Sequence, residues 1–277
     1  MSTIDTSIII STYNATEWLE KVLLGYNMQT YKGFEIIIAD DGSGPETKAL
    51  IDRMRKEVFY PITHTWHEDN GFQKSEILNK AILDCTTSYI IMSDGDCIPR
   101  NDFVEQHVTY RAPGYFLSGG YFMLSMDISL AIDKATIESG NCFNVSWLKA
   151  RGLKASFKNN KLSSRGVKST LLNSITPTNP SWNGHNASGW KEDILAINGF
   201  DERMQYGGQD RELGERLVNL GIKSKQIRYS AVVIHLDHPR GYKNEASINK
   251  NRAIRKHTRD AKVKWTPYGI KKQPTAG

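Results

Sequence analysis

Two carboxylates one residue apart, Asp94 and Asp96 in "YIIMSDGDCIP", pose the first chemical problem of this 277-residue chain. Tyr89 to Ser93 read as a buried strand, so the pair stands at a strand end. Two like charges that close repel each other and are costly to desolvate. One resolution is a plain turn, since Asp-Gly is a common turn dipeptide. The other is a hard divalent cation, which binds carboxylate oxygens together with substrate phosphates and relieves the repulsion. A second acidic pair, Asp40-Asp41, follows the apolar run in "FEIIIADDGS". Asp210, in "GGQDRE", opens a predicted helix, where the N-terminal dipole stabilises an anion. Gly207-Gly208 just before it lets the backbone approach a ligand closely. Asp210 therefore reads as a general base or as a helix cap.

The elements that must position these residues alternate strand and helix. "TSIIIST" is a short β-branched run and hence a buried strand. Asn14 is placed to cap the next helix, with Glu17 completing a capping box, and Leu19, Val22, Leu23 and Tyr26 share one helix face. "FEIIIAD" is the second strand. "PETKALIDRMRKEV" is the second helix, with Pro45 near its first turn. "PITHTW" is the third strand, and "KSEILNKAILDC" is a helix burying Ile77, Leu78, Ala81, Ile82 and Cys85. Repeated βα units predict an α/β fold with a mostly parallel open sheet and helices on both faces. Ligands in such sheets bind beyond the carboxyl ends of the strands. Thr12-Tyr13-Asn14, Asp40-Asp41-Gly42-Ser43 and Asp94-Gly95-Asp96 all fall on that rim, a convergence that favours the cation reading. Residues 125–176 have poor periodicity and read as a long basic loop region with some helix. Regular pattern returns with Leu213, Leu217 and Leu220 on one helix face and Gly221 as its stop. "VVIHLDH" reads as a last strand. The expected organisation is a first half (1–110) carrying the βα units, a second half (111–238) carrying the basic insertion, and a basic tail (239–277), all in one domain.

Charge is unevenly spread. Residues 239–277 hold 11 basic and 2 acidic residues, and residues 139–191 hold 8 basic and none acidic. The net charge is +6, so the rest of the chain carries a balance of −11. Basic segments suit a phosphate-bearing partner or an anionic membrane surface, or are simply solvated. No RNP, zinc-finger or helix-turn-helix pattern supports a nucleic-acid partner. Cys85, Cys97 and Cys142 form no CxxC pair, which argues against a disulfide framework or structural zinc and for a reducing cytoplasm. The first residues show no signal-peptide pattern, and no apolar run reaches the ~20 residues of a membrane helix. There is no P-loop and no GxGxxG after the first strand, which disfavours a P-loop kinase and a dinucleotide dehydrogenase.

Five ordered motifs resemble a known family. "IIISTYN", "IIIADDGS", "HEDNGFQKSEILNKAI" and "YIIMSDGDCIP" are similar to the nucleotide-sugar half of family-two glycosyltransferases of the GT-A fold. "GHNASGWKEDILAINGFDERMQYGGQDRELGERL" resembles the C-terminal signature of β-1,4-galactosyltransferases and chondroitin-polymerase-type enzymes. The resemblance implies an inverting transfer from a nucleotide-sugar, UDP-linked by preference, to a hydroxyl of a glycan or lipid-linked acceptor, with Mn²⁺ or Mg²⁺. The QxxRW-type motif and membrane helices of processive synthases are absent, so one sugar per encounter is expected. Thr12, Tyr13 and Asn14 would line the nucleotide pocket. Asp40 or Asp41 would accept the N3–H of uracil, and Asn70 and Lys74 would join the donor site. Asp96 would bind the metal, Asp94 the ribose or a second metal position, and His238 would be the distal metal ligand. His235 and His238 otherwise form a strand-end pair with no ligand role. Asp210 would be the catalytic base. Tyr206, Gly207, Gly208 and Gln209, with Asn183, His185, Asn186 and Trp190, would face the sugars. Gln209 stands where the family usually carries Glu, which puts acceptor preference in question. The rival readings are a sugar nucleotidyltransferase, disfavoured by the absence of an N-terminal Gly-rich loop, and a nucleotide-sugar-binding protein without transferase activity. The expected setting is the cytoplasm, with peripheral contact to the inner face of a membrane.

Overall fold

The computed structural model describes residues 3–239 and 244–272. Its centre is built from apolar runs too hydrophobic on both faces to meet water. β1 (Thr6–Thr12) and β2 (Phe34–Asp40) are buried along their whole length. β3 (Ile62–Trp66) and β4 (Tyr89–Asp94) complete the four parallel strands, in the order β3-β2-β1-β4. Strand alternation sends Ile8, Ile10, Ile36, Ile38 and Ile91 to one core, and Ile9, Ile37, Ala39, Ile90 and Met92 to the other. The Thr16–Asn27 helix covers the first face with Leu19, Val22, Leu23 and Tyr26. The Lys74–Asp84 helix covers the second with Ile77, Leu78, Ala81 and Ile82. Each such side chain contributes roughly 1.5–3 kcal/mol on full burial, so register is strongly fixed.

Beyond the first four strands come β5 (Cys97–Pro99), β6 (Tyr115–Ser118), β7 (Gly120–Met123), β8 (Asn186–Trp190), β9 (Lys223–Gln226) and β10 (Val232–His235). The main sheet continues β4-β8-β6-β9, and β8 alone among its seven strands runs against the others. β5, β10 and β7 form a separate small sheet. The "VVIHLDH" strand therefore exists, but it pairs beside the acidic turn after β4. Leu236 N–H donates to the Asp96 carbonyl at 2.9 Å, which ties the two ends together.

Several local expectations are corrected. Asn14 does not cap a helix. It lies at φ 45° and is bound to the loop after β2, donating its amide to Ser43 Oγ and accepting from Gly44 N–H. The helix after it starts beyond Ala15, and Glu17 pairs with Lys21. Residues 125–176 are mainly short helices: Met126–Ala131, Lys134–Glu138, Val145–Lys149, Asn160–Ser163 and Gly166–Ile175. Pieces this short show no readable 3.6-residue period; side-chain caps such as Asp133 and Asn144 mark them instead. Buried Arg100 fastens this region by donating to the carbonyls of Lys161, Ser164 and Ser230. Leu213 and Leu217 are buried, but Leu220 is 36% exposed. The segment expected as a loose tail contains a 16-residue helix, Glu245–Asp260, packed on the Gln209–Leu220 helix. Residues 266–271 then return to Asn198, whose side-chain amide donates to Thr266 and Lys271 carbonyls. Residues 240–243 and 273–277, also in that tail, lie outside the described residues.

Candidate functional site

A cleft of about 1180 Å³ opens over the carboxyl ends of β1 and β4. Its floor is Ser11-Thr12 and Asp94-Gly95-Asp96, neighbours because β1 and β4 pair with Ser11 opposite Asp94. Gly95 N–H donates to the Ser11 carbonyl at 2.8 Å, and a Cβ there would stand 3.0 Å from that oxygen and 3.2 Å from Thr12 Oγ1. Glycine is thus needed between the two aspartates by close approach. Thr12 Oγ1 is buried on this floor with no hydrogen-bond partner among the described residues.

The two aspartates have different surroundings. Asp94 Oδ1 accepts from Lys74 Nζ and from Ser11 Oγ, each at 2.7 Å. Burial opposes its ionisation, but the Lys74 ammonium outweighs burial and holds the carboxyl well below the usual range. Lys74 is raised in turn, since its partner outweighs its own desolvation. Asp96 instead faces imidazoles. His238 Nε2 lies 3.0 Å from its Oδ2 and His235 Nε2 lies 3.8 Å from its Oδ1. The two rings stack at 5.5 Å with a 9° interplanar angle. Each Nδ1 lies by a backbone carbonyl, Leu236 at 2.7 Å and Pro239 at 2.9 Å. A carbonyl can only accept, so each Nδ1 is the donor to it, and each Nε2 is the ring nitrogen left on the Asp96 side. A carboxylate and two Nε2 atoms converging in this way suit a divalent cation. Buried Cys97 also stands close, with its thiol donating to Asp96 Oδ1 at 3.3 Å.

On the opposite wall the chain turns twice through left-handed glycines, Gly207 at φ 110° and Gly208 at φ 93°, before the Gln209–Leu220 helix. Only glycine accepts those angles without strain, so the loop is tight and fixed. Asp210 then projects from the first turn, its Oδ2 accepting from Gly184 N–H at 3.1 Å. Gln209 is largely buried, and its side-chain oxygen accepts from Gly207 N–H at 3.1 Å. It closes the glycine turn, a role a glutamate oxygen would serve equally.

Most expected residues meet in this cleft: Thr12, Tyr13, Asn14, Asp41, Lys74, Asp94, Asp96, His185, Tyr206, Gly207, Gly208, Gln209, Asp210, His235 and His238 line it. Tyr13 is half exposed at its mouth and donates to Asp69 at 2.9 Å. Asp41 is pushed up by burial, against the lowering effect of His67 at 2.9 Å and of the Gln73 amide. Five expected residues lie elsewhere. Asp40 is fully buried, accepting from Ser43 N–H and paired with His64, so Asp41 is the member of that pair facing the cleft. Asn70 borders a smaller hollow of about 480 Å³ with His67 and Glu76. Asn186 is buried in β8 and donates to the Gly120 and Ala231 carbonyls, joining the two sheets. Trp190 packs edge-on against Tyr89 and donates to the Ala112 carbonyl. Asn183, the other residue expected to face the sugars, donates to Ser118 Oγ. Ser11, Arg211, Arg252 and Arg255 line the cleft without having been expected there. Ser11 was detectable as a polar residue at a strand end. The arginines of the Glu245–Asp260 helix were not, because their placement depends on long-range docking.

The fold, an open and mostly parallel α/β sheet flanked by helices, is of the GT-A type, as solved structures show. The mannosyltransferase PcManGT from Pyrobaculum calidifontis, in complex with GDP-Man and Mn²⁺, superposes with TM-score 0.56 at 17% identity, over 87% of this chain and 59% of that one. S. aureus TarS 1-349 in complex with UDP-GlcNAc gives TM-score 0.57 at 13% identity, over 86% and 60%. Residues 7–114 match the family described as Glycosyl transferase family 2. The hyaluronan synthase of Pasteurella multocida is 25% identical over 96% of this chain, which spans 28% of the synthase's length.

Proposed function

We propose that the protein is an inverting, metal-dependent glycosyltransferase that moves one sugar per encounter from a nucleotide-sugar, UDP-linked by preference, to a hydroxyl of a glycan or lipid-linked acceptor. The observation that carries this is the convergence of Asp96 with the Nε2 atoms of His235 and His238 across one cleft from Asp210. Asp96, His235 and His238 would hold Mn²⁺ or Mg²⁺, which when bound neutralises a diphosphate leaving group. Tyr13 at the cleft mouth offers a face for the base, and Asp41 offers a carboxylate oxygen to a ring N–H. Asp94, held ionised by Lys74 and Ser11, stands where ribose hydroxyls would donate. Asp210 takes the proton of the acceptor hydroxyl as that oxygen bonds to the anomeric carbon and the diphosphate oxygen leaves from the opposite face. The Gly207–Gly208 turn brings backbone to the sugar, with Tyr206 beside it for stacking. PcManGT is recorded with GDP-Man and Mn²⁺ and TarS with UDP-GlcNAc, which supports a nucleotide-sugar donor and a divalent cation. No helix among the described residues is long and apolar enough to cross a membrane. We read the enzyme as acting in the cytoplasm, at the membrane face when its acceptor is lipid-linked.

The test is a panel of nucleotide-sugars with and without Mn²⁺, read by release of nucleoside diphosphate and by NMR of the product anomer. A UDP-sugar should be consumed, EDTA should abolish turnover, and the product should show inverted configuration. Retention of configuration, or full turnover in EDTA, would overturn the mechanism.

A further inference from the structure

The Glu245–Asp260 helix presents Ile248, Arg252 and Arg255, at helical spacing, to the cleft. Its contacts fix where that face sits. A Cβ on Gly207 would meet Ile248 at 3.3 Å, and one on Gly208 would meet Arg255 at 3.1 Å. Arg252 lies between these two contacts, over the turn that leads to Asp210. The helix is no solvated tail. Fully buried Asn251 donates to the carbonyls of Gln205, Tyr206 and Gly207 at 2.9, 3.1 and 3.2 Å. Thr258 donates to buried Glu212 at 2.9 Å, and Arg255 and Arg259 both pair with Glu215.

The arginines of the cleft differ in one respect. Arg255 has Glu215 at 2.6 Å. Arg252 donates a 3.3 Å bond to Asn249 of its own helix, and Arg211, exposed beside Asp210, has no carboxylate within 4 Å among the described residues; nor has Arg252. Buried Arg100 and Arg216 and half-buried Arg111 each carry a carboxylate, while half-buried Arg228, away from the cleft, donates to Thr178. Two guanidinium groups without acidic partners, on a rigid wall beside a carboxylate base, provide planar, bidentate recognition of an oxyanion.

Resting on the glycosyltransferase reading, we propose that the acceptor carries an oxyanion, a carboxylate or a phosphate, and that Arg211 and Arg252 bind it. The donor diphosphate belongs at the imidazole side of the cleft, so the arginine wall is left for the second substrate. This selects sugar acids or phosphorylated sugars over neutral glycans.

The experiment measures binding of methyl β-glucuronide, glucose 1-phosphate and neutral methyl β-glucoside by NMR titration, in the presence and absence of UDP and Mn²⁺. At least one anionic ligand should bind the wild type at least ~10-fold more tightly than the neutral sugar, the scale of a charge-assisted bond. Which one does so tells carboxylate from phosphate. Arg252→Gln and Arg211→Gln should each remove most of that preference while UDP–Mn²⁺ affinity stays within about twofold, as for independent sites. Equal binding of charged and neutral sugars by the wild type would overturn the proposal. So would an Arg252→Gln variant that weakens UDP–Mn²⁺ as much as the anionic sugar, which would give the wall to the donor. Failure of the wild type to bind UDP–Mn²⁺ would sink the transferase reading instead, and the anion preference is then read without nucleotide.

Discussion

The carboxylates of the cleft sit in three environments that separate their tasks. Asp94 is neutralised by Lys74, Asp96 looks at imidazoles, and Asp210 is anchored by the backbone amides of Gly184 and Arg211. On the proposed mechanism, Asp96→Ala should abolish Mn²⁺-dependent binding of UDP in calorimetry, because a hard cation loses charge and coordination together. Unchanged binding would remove the metal role from that residue. Asp210→Asn should leave UDP–Mn²⁺ affinity near wild type and lower transfer by ~10²–10⁴-fold, the range of a general-base contribution. Transfer at the wild-type rate would place the base elsewhere. Residues at the ends of strands and on glycine turns were legible in the sequence, because their position follows from the strand period and the handedness of the turn. Asp40 against Asp41 was not, since one residue of strand register decides which carboxylate is buried with His64 and which faces the cleft. Asn186 and Trp190 were misplaced for a similar reason. They lie in β8, the antiparallel strand, whose partners are not its sequence neighbours.

At the scale of elements, the Glu245–Asp260 helix governs the loop before Asp210. The fully buried Asn251 donates to the three carbonyls of residues 205–207. Asn251→Ala removes these bonds, at roughly 0.5–1.5 kcal/mol of stability for each bond lost. Its larger effect should be kinetic. Transfer should fall by about 10–10²-fold, as misplacement of a reacting group by an ångström does, with UDP–Mn²⁺ affinity nearly constant. A stability loss without a fall in turnover would show that the helix merely packs. The same contacts reverse an expectation drawn from composition. A balance of +9 reads as a loose, solvated tail, but truncation after Lys250 would strip Asn251, Arg255 and Thr258 from the body. The basic stretch has a strong helical face, yet nothing in its spacing names the Gly207–Gly208 turn as its partner. The βα units of the first hundred residues were legible because each is stabilised by its own period and by its nearest neighbour in sequence.

At the scale of the whole molecule, one buried histidine makes stability depend on pH. His107 sits between Ser188 and Asn186 with no exposure, and burial lowers its pKa from 6.5 to about 4. Above pH 6.5 both folded and unfolded forms are neutral, and the contribution is complete. As pH falls from 6.5 towards 4 the unfolded chain takes up a proton that the folded one refuses, so stability declines at about 1.4 kcal/mol per unit, roughly 3 kcal/mol in all. Urea unfolding at pH 7 and pH 5 should show this, and His107→Asn should flatten the difference between the two. An equal decline in both proteins would clear His107 of the effect. The backbone bond from Leu236 to Asp96 bears on the order of events in time. The proposed cation ligands are Asp96, just before β5, His235, at the end of β10, and His238, three residues beyond it, so they meet only where the small sheet of β5, β10 and β7 forms. A chain emerging from the ribosome has its first four strands and their helices long before that sheet can close. On the proposed ligand set, it holds one carboxylate and no imidazole until its final strand docks. Metal affinity is then a property of the finished molecule, and a growing or truncated chain stays chemically silent even where its nucleotide-binding half is already folded.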